Sequence, residues 1–252
     1  MITKNGGVDS VVRLQPVGGG AMLYDGSRRS NAQQGWLSPE WWARRGQVRT
    51  AGAGRGSAWL IAAGRLRLVL RHYRRGGLMA QLYGDRYWWR GAEATRSFRE
   101  WRLLHRLHGA GFPVPRPVAA GYHRQGSRYT ADILTEQLPD TQTLAQRLRE
   151  APLPLSLWVD VGRCIRRFTD AGVHHADLNA HNVLLDAAGR VWLIDFDRGE
   201  LRLPGLWSDA MLARLYGSLV KISAVLPAER FTPADWHSLL DAYLAGVPAA
   251  RG

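Results

Sequence analysis

The sequence predicts an α+β chain in two lobes, a β-rich N-terminal lobe over residues 1–138 and a mainly α-helical C-terminal lobe over 139–252. Three observations carry this. Short apolar runs bounded by glycine and proline dominate the first half, helical patterns outnumber strands in the second, and Pro139-Asp140 breaks the chain between them. With 252 residues, 46% of them apolar, the chain is long enough for one large core or two small ones.

The elements follow in order. The first 35 residues are rich in Gly, Ser and Asn and read as loop or weak strand. Ser38-Pro39-Glu40 starts a short helix carrying Trp41 and Trp42, with Ser at the N-cap and Pro at the first helical position. The apolar runs 58–62 and 66–70 flank Gly64 and read as paired strands. A linker with Arg74-Arg75-Gly76-Gly77 leads to a helix over 94–108, where Leu103, Leu104 and Leu107 share a face with Glu100, so that one carboxylate points inward. Strands over 117–122 and 129–138 follow. The second half opens with helices at 143–150 and 155–171, the latter stopped by Gly172. A hairpin of 183–185 and 191–194 comes next, and helices near 208–226 and 232–245 close the chain.

Charge is unevenly placed. Residues 1–137 hold 22 Lys and Arg against 8 Asp and Glu, a net +14, while residues 138–252 hold 12 against 13, a net −1. A field of that sign suits an anionic partner: nucleotide phosphates, an acidic sugar, nucleic acid or an anionic lipid surface. Nothing beyond net charge supports nucleic acid, so none is expected, and no obligate protein partner is inferred. No apolar run reaches the ~20 residues of a membrane span, and the N-terminus lacks a basic, then apolar leader, so the chain is expected in the cytoplasm. Cys164 falls in helical step with Trp158, Val161 and Phe168 and reads as a buried thiol. Core packing is likewise the first reading of Trp36, Trp41, Trp42, Trp88 and Trp89, with a membrane-interface role beside Arg as the second.

The most constrained stretch is His175-Ala-Asp177-Leu-Asn-Ala-His-Asn182, followed by Asp195-Phe196-Asp197 at the exit of the second hairpin. The pattern H-x-D-x-x-x-x-N, hairpin, D-F-x is that of a kinase-like phosphotransferase. Asp177 is then the catalytic acid or base that orients an acceptor hydroxyl. Asn182 and Asp195 supply the neutral and anionic oxygens that Mg2+ prefers, facing the phosphates of ATP. His175 reads as a structural residue holding the loop. His174 and His181 lack the spacing of a zinc site. Asp197 either tunes the metal or holds Arg198.

In the first half, Gly52-Ala-Gly54-Arg-Gly56 precedes a strand, where its amides are candidates to approach phosphates; a plain turn is the competing reading. Neither lysine, Lys4 or Lys221, sits in a strand of this half. Phosphate binding then falls to an arginine, and Arg71 is best placed, with Glu100 as its partner and Arg67 and His72 as runners-up. Glu136 marks the hinge that would offer backbone groups to adenine, against the reading of a surface strand glutamate.

Leu68-Val-Leu-Arg71-His-Tyr-Arg-Arg-Gly-Gly77, Asp85-Arg-Tyr87, Glu100, Phe112-Pro-Val-Pro-Arg-Pro117, the 175–182 motif and Ile194-Asp-Phe-Asp-Arg198 together resemble the lipopolysaccharide core kinases, most closely those acting on 3-deoxy-D-manno-octulosonic acid (Kdo). The resemblance covers roughly residues 47–200. It implies a bilobal protein-kinase-like fold that transfers the γ-phosphate of ATP to the 4-hydroxyl of Kdo on a lipid A precursor. It also implies a peripheral place on an anionic membrane, at the cytoplasmic side of the cell inner membrane. Only 55 residues follow Asp197, without an A-P-E signature, which fits a small-substrate enzyme. The competing readings are a kinase-like enzyme acting on core heptose or an aminoglycoside, and a non-catalytic kinase fold that binds lipopolysaccharide.

Overall fold

The computed structural model describes residues 12–26, 33–49, 58–74 and 84–246. They divide into two compact units, one formed by the described residues up to 110 together with 115–137, the other by 111–114 and 138–246.

The first unit is built on an antiparallel sheet. Its strands are β1 (Val12–Val17), β2 (Gly20–Asp25), β3 (Val48–Arg49), β4 (Ala58–Ala63), β5 (Leu66–His72), β6 (Tyr87–Trp88), β7 (Pro117–Gln125) and β8 (Arg128–Glu136). The spatial order is β1-β2-β7-β8-β5-β4-β3, with β6 added on β8. The stretch expected to be loop or weak strand thus contains a regular hairpin, Val12 opposite Asp25 through Val17 opposite Gly20. Its outer strand is mostly exposed, which hides the alternation in the sequence, whereas Met22 and Leu23 are buried on the inner one.

Alternation along β5 gives the sheet two faces. Leu68 and Leu70 point into a cluster with Trp36, Trp42, Ile61 and Leu134, which a 3₁₀ turn (Gln34–Leu37) and helix α1 (Pro39–Ala43) cover. Ser38 caps α1 by accepting the Trp41 N–H. Arg71, of opposite parity, faces helix α2 (Arg96–Gly109). That helix buries Phe98, Trp101, Leu104 and Leu107, and Ser97 Oγ donates to Gly121 O in β7 at 2.8 Å. Trp36 and Trp42 are core residues as expected, but Trp88 is exposed and lies against Arg128.

The second unit is mainly helical: α3 (Leu144–Glu150), α4 (Leu155–Asp170), α5 (Trp207–Ser223) and α6 (Pro233–Leu244). Its strands are short, β9 (Gln142–Thr143) and β12 (Val191–Leu193) flanking β11 (Val183–Leu185), and the pair β10 (Val173–His174) with β13 (Glu200–Leu201). Thr143 and Thr232 close capping boxes at the starts of α3 and α6, each with a polar partner three residues on. Helix α4 buries Trp158, Val161, Ile165 and Phe168 and lies so close to α6 that a Cβ on Gly162 would be 2.2 Å from Leu239 O. Cys164, on the same helix, has its thiol pKa pushed by burial to about 12.

Candidate active site

Local backbone constraints deliver the motif. The chain leaves α4 through Gly172, whose φ of +74° is left-handed and where a Cβ would meet Arg202 O at 2.6 Å. β10 then pairs with β13 and releases the loop 175–182. The hairpin β11–β12 begins as that loop ends. Because Val183 pairs with Leu193, Asn182 falls opposite Ile194 and Asp195 one step beyond.

His175 ties these ends together. Only 2% exposed, it places Nε2 at 2.9 Å from Ile194 O, while its Nδ1 accepts the Asp177 N–H at 3.2 Å. A neutral ring protonated on Nε2 satisfies both partners, and burial pushes the pKa of His175 below its ordinary value. Asn182 Nδ2 donates to Asp177 O at 2.8 Å, and the Ile194 N–H donates to Asn182 O at 3.1 Å. Asn179 Nδ2 donates to the Asp177 carboxylate at 3.2 Å. Asp195 takes a left-handed φ of 62°, a conformation that Asp tolerates better than most residues, and turns the chain at the hairpin exit. Asp177, Asn182 and Asp195 are therefore brought to one loop cluster by backbone hydrogen bonds.

The donor set suits Mg2+. With its Nδ2 spent on Asp177 O, Asn182 presents an amide oxygen, and Asp195 adds a carboxylate. Two protein oxygens completed by phosphates and water are typical for this ion. Among the described residues no three of His, Cys, Asp and Glu gather into a metal cage.

Three residues of α5 were not singled out in the sequence. Met211 Sδ accepts the buried His175 N–H at 3.2 Å, Ser218 Oγ accepts the Ala180 N–H at 3.2 Å, and Arg214 Nη1 lies 3.7 Å from Asp177 Oδ1. Their spacing of three and four places them on one helix face. That periodicity was visible, but nothing in it names the loop the face meets.

In the first unit, Arg71 Nη2 is 2.6 Å from Glu100 Oε1, and the Tyr73 hydroxyl donates to Glu100 Oε2 at 2.5 Å. The runners-up are engaged elsewhere. Arg67 Nη1 donates to Gly64 O at 2.8 Å, closing its own hairpin. His72 Nδ1 is 2.7 Å from Asp132 Oδ1, and this hydrogen bond raises the His72 pKa. Glu136 ends β8, but its N–H donates to Arg116 O at 2.8 Å, so a contribution to a base narrows to its carbonyl. Gly52, Gly54 and Gly56 lie outside the described residues.

Residues 39–243 match the model of the lipopolysaccharide kinase (Kdo/WaaP) family. The chain is similar to a 3-deoxy-D-manno-octulosonic acid kinase of Xylella fastidiosa (strain M23), 48% identical over 204 residues that cover 81% of each chain. Proteins of the same name from Stenotrophomonas maltophilia (strain K279a) and Xanthomonas campestris pv. campestris (strain B100) are also 48% identical, covering 81% of this chain in both cases and 81% and 82% of their own.

Proposed function

The chain belongs to the lipopolysaccharide kinase (Kdo/WaaP) family, and on that premise we propose that it phosphorylates the 4-hydroxyl of Kdo on a Kdo-lipid A precursor, with ATP as donor, in lipopolysaccharide core biosynthesis. The observation that carries this reading is the His175 ring, which fixes the Asp177 turn against the carbonyl that precedes Asp195. The two units are read as the two lobes of a protein-kinase-like fold.

Asp177 accepts a hydrogen bond from the acceptor hydroxyl, aims its oxygen at the γ-phosphorus and takes up the proton as the new P–O bond forms and the bond to ADP breaks. Asn179 holds the Asp177 carboxylate in place for this. Asn182 and Asp195 hold Mg2+, which when bound neutralises phosphate charge. Arg71, aligned by Glu100, binds the α and β phosphates through its guanidinium fork. The Gly52, Gly54 and Gly56 amides and the Glu136 carbonyl are assigned to the same nucleotide. A peripheral place at the cytoplasmic side of the inner membrane is part of the reading, supported by the +14 first half. No described helix is long and apolar enough to cross a membrane.

The test is incubation with γ-labelled ATP, Mg2+ and a Kdo-bearing lipid A precursor. Label moves to the Kdo residue, and Asp177→Ala lowers the rate by roughly 10²–10⁴-fold. Label that stays in ATP, or transfer undiminished in Asp177→Ala, refutes the proposal. Label on a heptose instead keeps the chemistry and changes the acceptor.

A further inference from the structure

The acceptor proposed above is an acidic sugar carried on a lipid, and none of the residues assigned so far meets either property. We propose that the start of α5 and the loop before it form the acceptor's docking face, with Arg214 taking the sugar carboxylate and the leucines of the loop taking the apolar part of the lipid. This rests on the function proposed above and adds the residues that select its substrate.

Electrostatics argues for Arg214. An acid whose hydroxyl approaches Asp177 brings a second carboxylate toward the first, and the two repel unless a cation lies between them. The Arg214 guanidinium is placed for that. Its 3.7 Å separation from Asp177 Oδ1 is longer than a hydrogen bond, and its side chain is 56% exposed. Its five donors form a planar fork that suits an incoming carboxylate.

The loop supplies the apolar half. Leu203 is 87% exposed and Leu206 84%, two leucines three residues apart that present apolar surface to solvent just before α5. The backbone beside them is anchored: Trp207 Nε1 donates to Leu203 O at 2.7 Å, and the Arg202 N–H donates to Gly172 O at 2.7 Å. The loop therefore continues from β13, which pairs with the strand that feeds the catalytic loop. Arg214 follows Leu206 by eight residues, about 12 Å along a helix. A cation near Asp177 and projecting leucines roughly that far away match an anionic head and an acyl tail.

The test is steady-state kinetics of the full chain on three acceptors: the intact Kdo-lipid, its Kdo carboxamide, and a de-acylated soluble form. On the intact lipid, Arg214→Gln raises the acceptor KM at least about tenfold and leaves the ATP KM in place, and Arg214→Lys recovers part of the loss. On the carboxamide the penalty of Arg214→Gln shrinks to about twofold, because the charge it served is gone. The double variant Leu203→Ser, Leu206→Ser raises KM on the acylated acceptor by about tenfold or more and loses that penalty on the soluble one. Equal penalties on acceptors with and without the carboxylate overturn the role of Arg214. Equal penalties with and without acyl chains overturn that of the leucines. A wild-type chain that fails to phosphorylate the intact lipid overturns the functional reading and the docking face together, whereas an active wild type with flat penalties overturns the docking face alone.

Discussion

Arg71 in β5 and Glu100 in α2 meet through Nη2 and Oε1 at 2.6 Å, and the Tyr73 hydroxyl donates to the other carboxylate oxygen, Oε2. Glu100 is 2% exposed, so it depends on these partners, and an arginine cannot discharge by losing a proton. The pair thus fixes both the helix and the direction of a permanent positive charge.

Arg71→Ala is expected to weaken nucleotide binding by about tenfold or more and to cost about 1–3 kcal/mol of stability, because a buried carboxylate loses a charged donor. Arg71→Lys restores part of the affinity. Calorimetric titration with a non-hydrolysable ATP analogue, alongside thermal melting, measures both; unchanged affinity in Arg71→Ala removes the assigned role.

Asp195→Asn is expected to raise the Mg2+ concentration for half-maximal activity at least about tenfold, since a neutral amide replaces an anionic ligand. The fold is retained because Asn tolerates the left-handed φ of 62° at this position. Activity measured across a Mg2+ series checks it, and an unshifted curve excludes Asp195 as a ligand.

The His175 ring makes stability depend on pH. Its folded pKa lies below the ordinary 6.5, so its contribution is complete above about 6.5 and declines as pH falls below that, where the unfolded chain binds the proton first. Protonated Nδ1 also loses its ability to accept the Asp177 N–H. Melting temperatures recorded from pH 8 to 5 should fall, and the fall should be shallower in His175→Asn.

Gly162→Ala inserts a methyl 2.2 Å from Leu239 O at the crossing of α4 and α6. Overpacking of this kind costs about 1–3 kcal/mol. A lowered melting temperature is expected despite the gain in helix propensity, and a raised one shows that the two helices separate easily.

Much of this was legible because it is local. The 175–182 spacing and the D-F-x hairpin exit fix residues within one loop and one ladder, and the inward face of Glu100 follows from helical period alone. The hairpin β1–β2 was obscured because its outer strand is exposed and so carries no alternating signal. The contacts of Met211, Arg214 and Ser218 depend on which loop a helix faces, and a periodic pattern does not encode a partner. Arg67, Arg71 and His72 meet different neighbours, which the sequence does not encode: Arg67 folds back on Gly64 in its own hairpin, His72, of the other parity, meets Asp132, and Arg71 reaches Glu100.

Cys164 has a practical consequence. With its thiol pKa raised to about 12, it carries little reactive thiolate at neutral pH. A cysteine introduced at the exposed Leu203 would react with a maleimide dye far faster, in an otherwise native background. The single buried thiol thereby leaves the protein open to site-selective fluorescence, and a dye at that position would report by its colour and intensity whether the loop enters an oily environment.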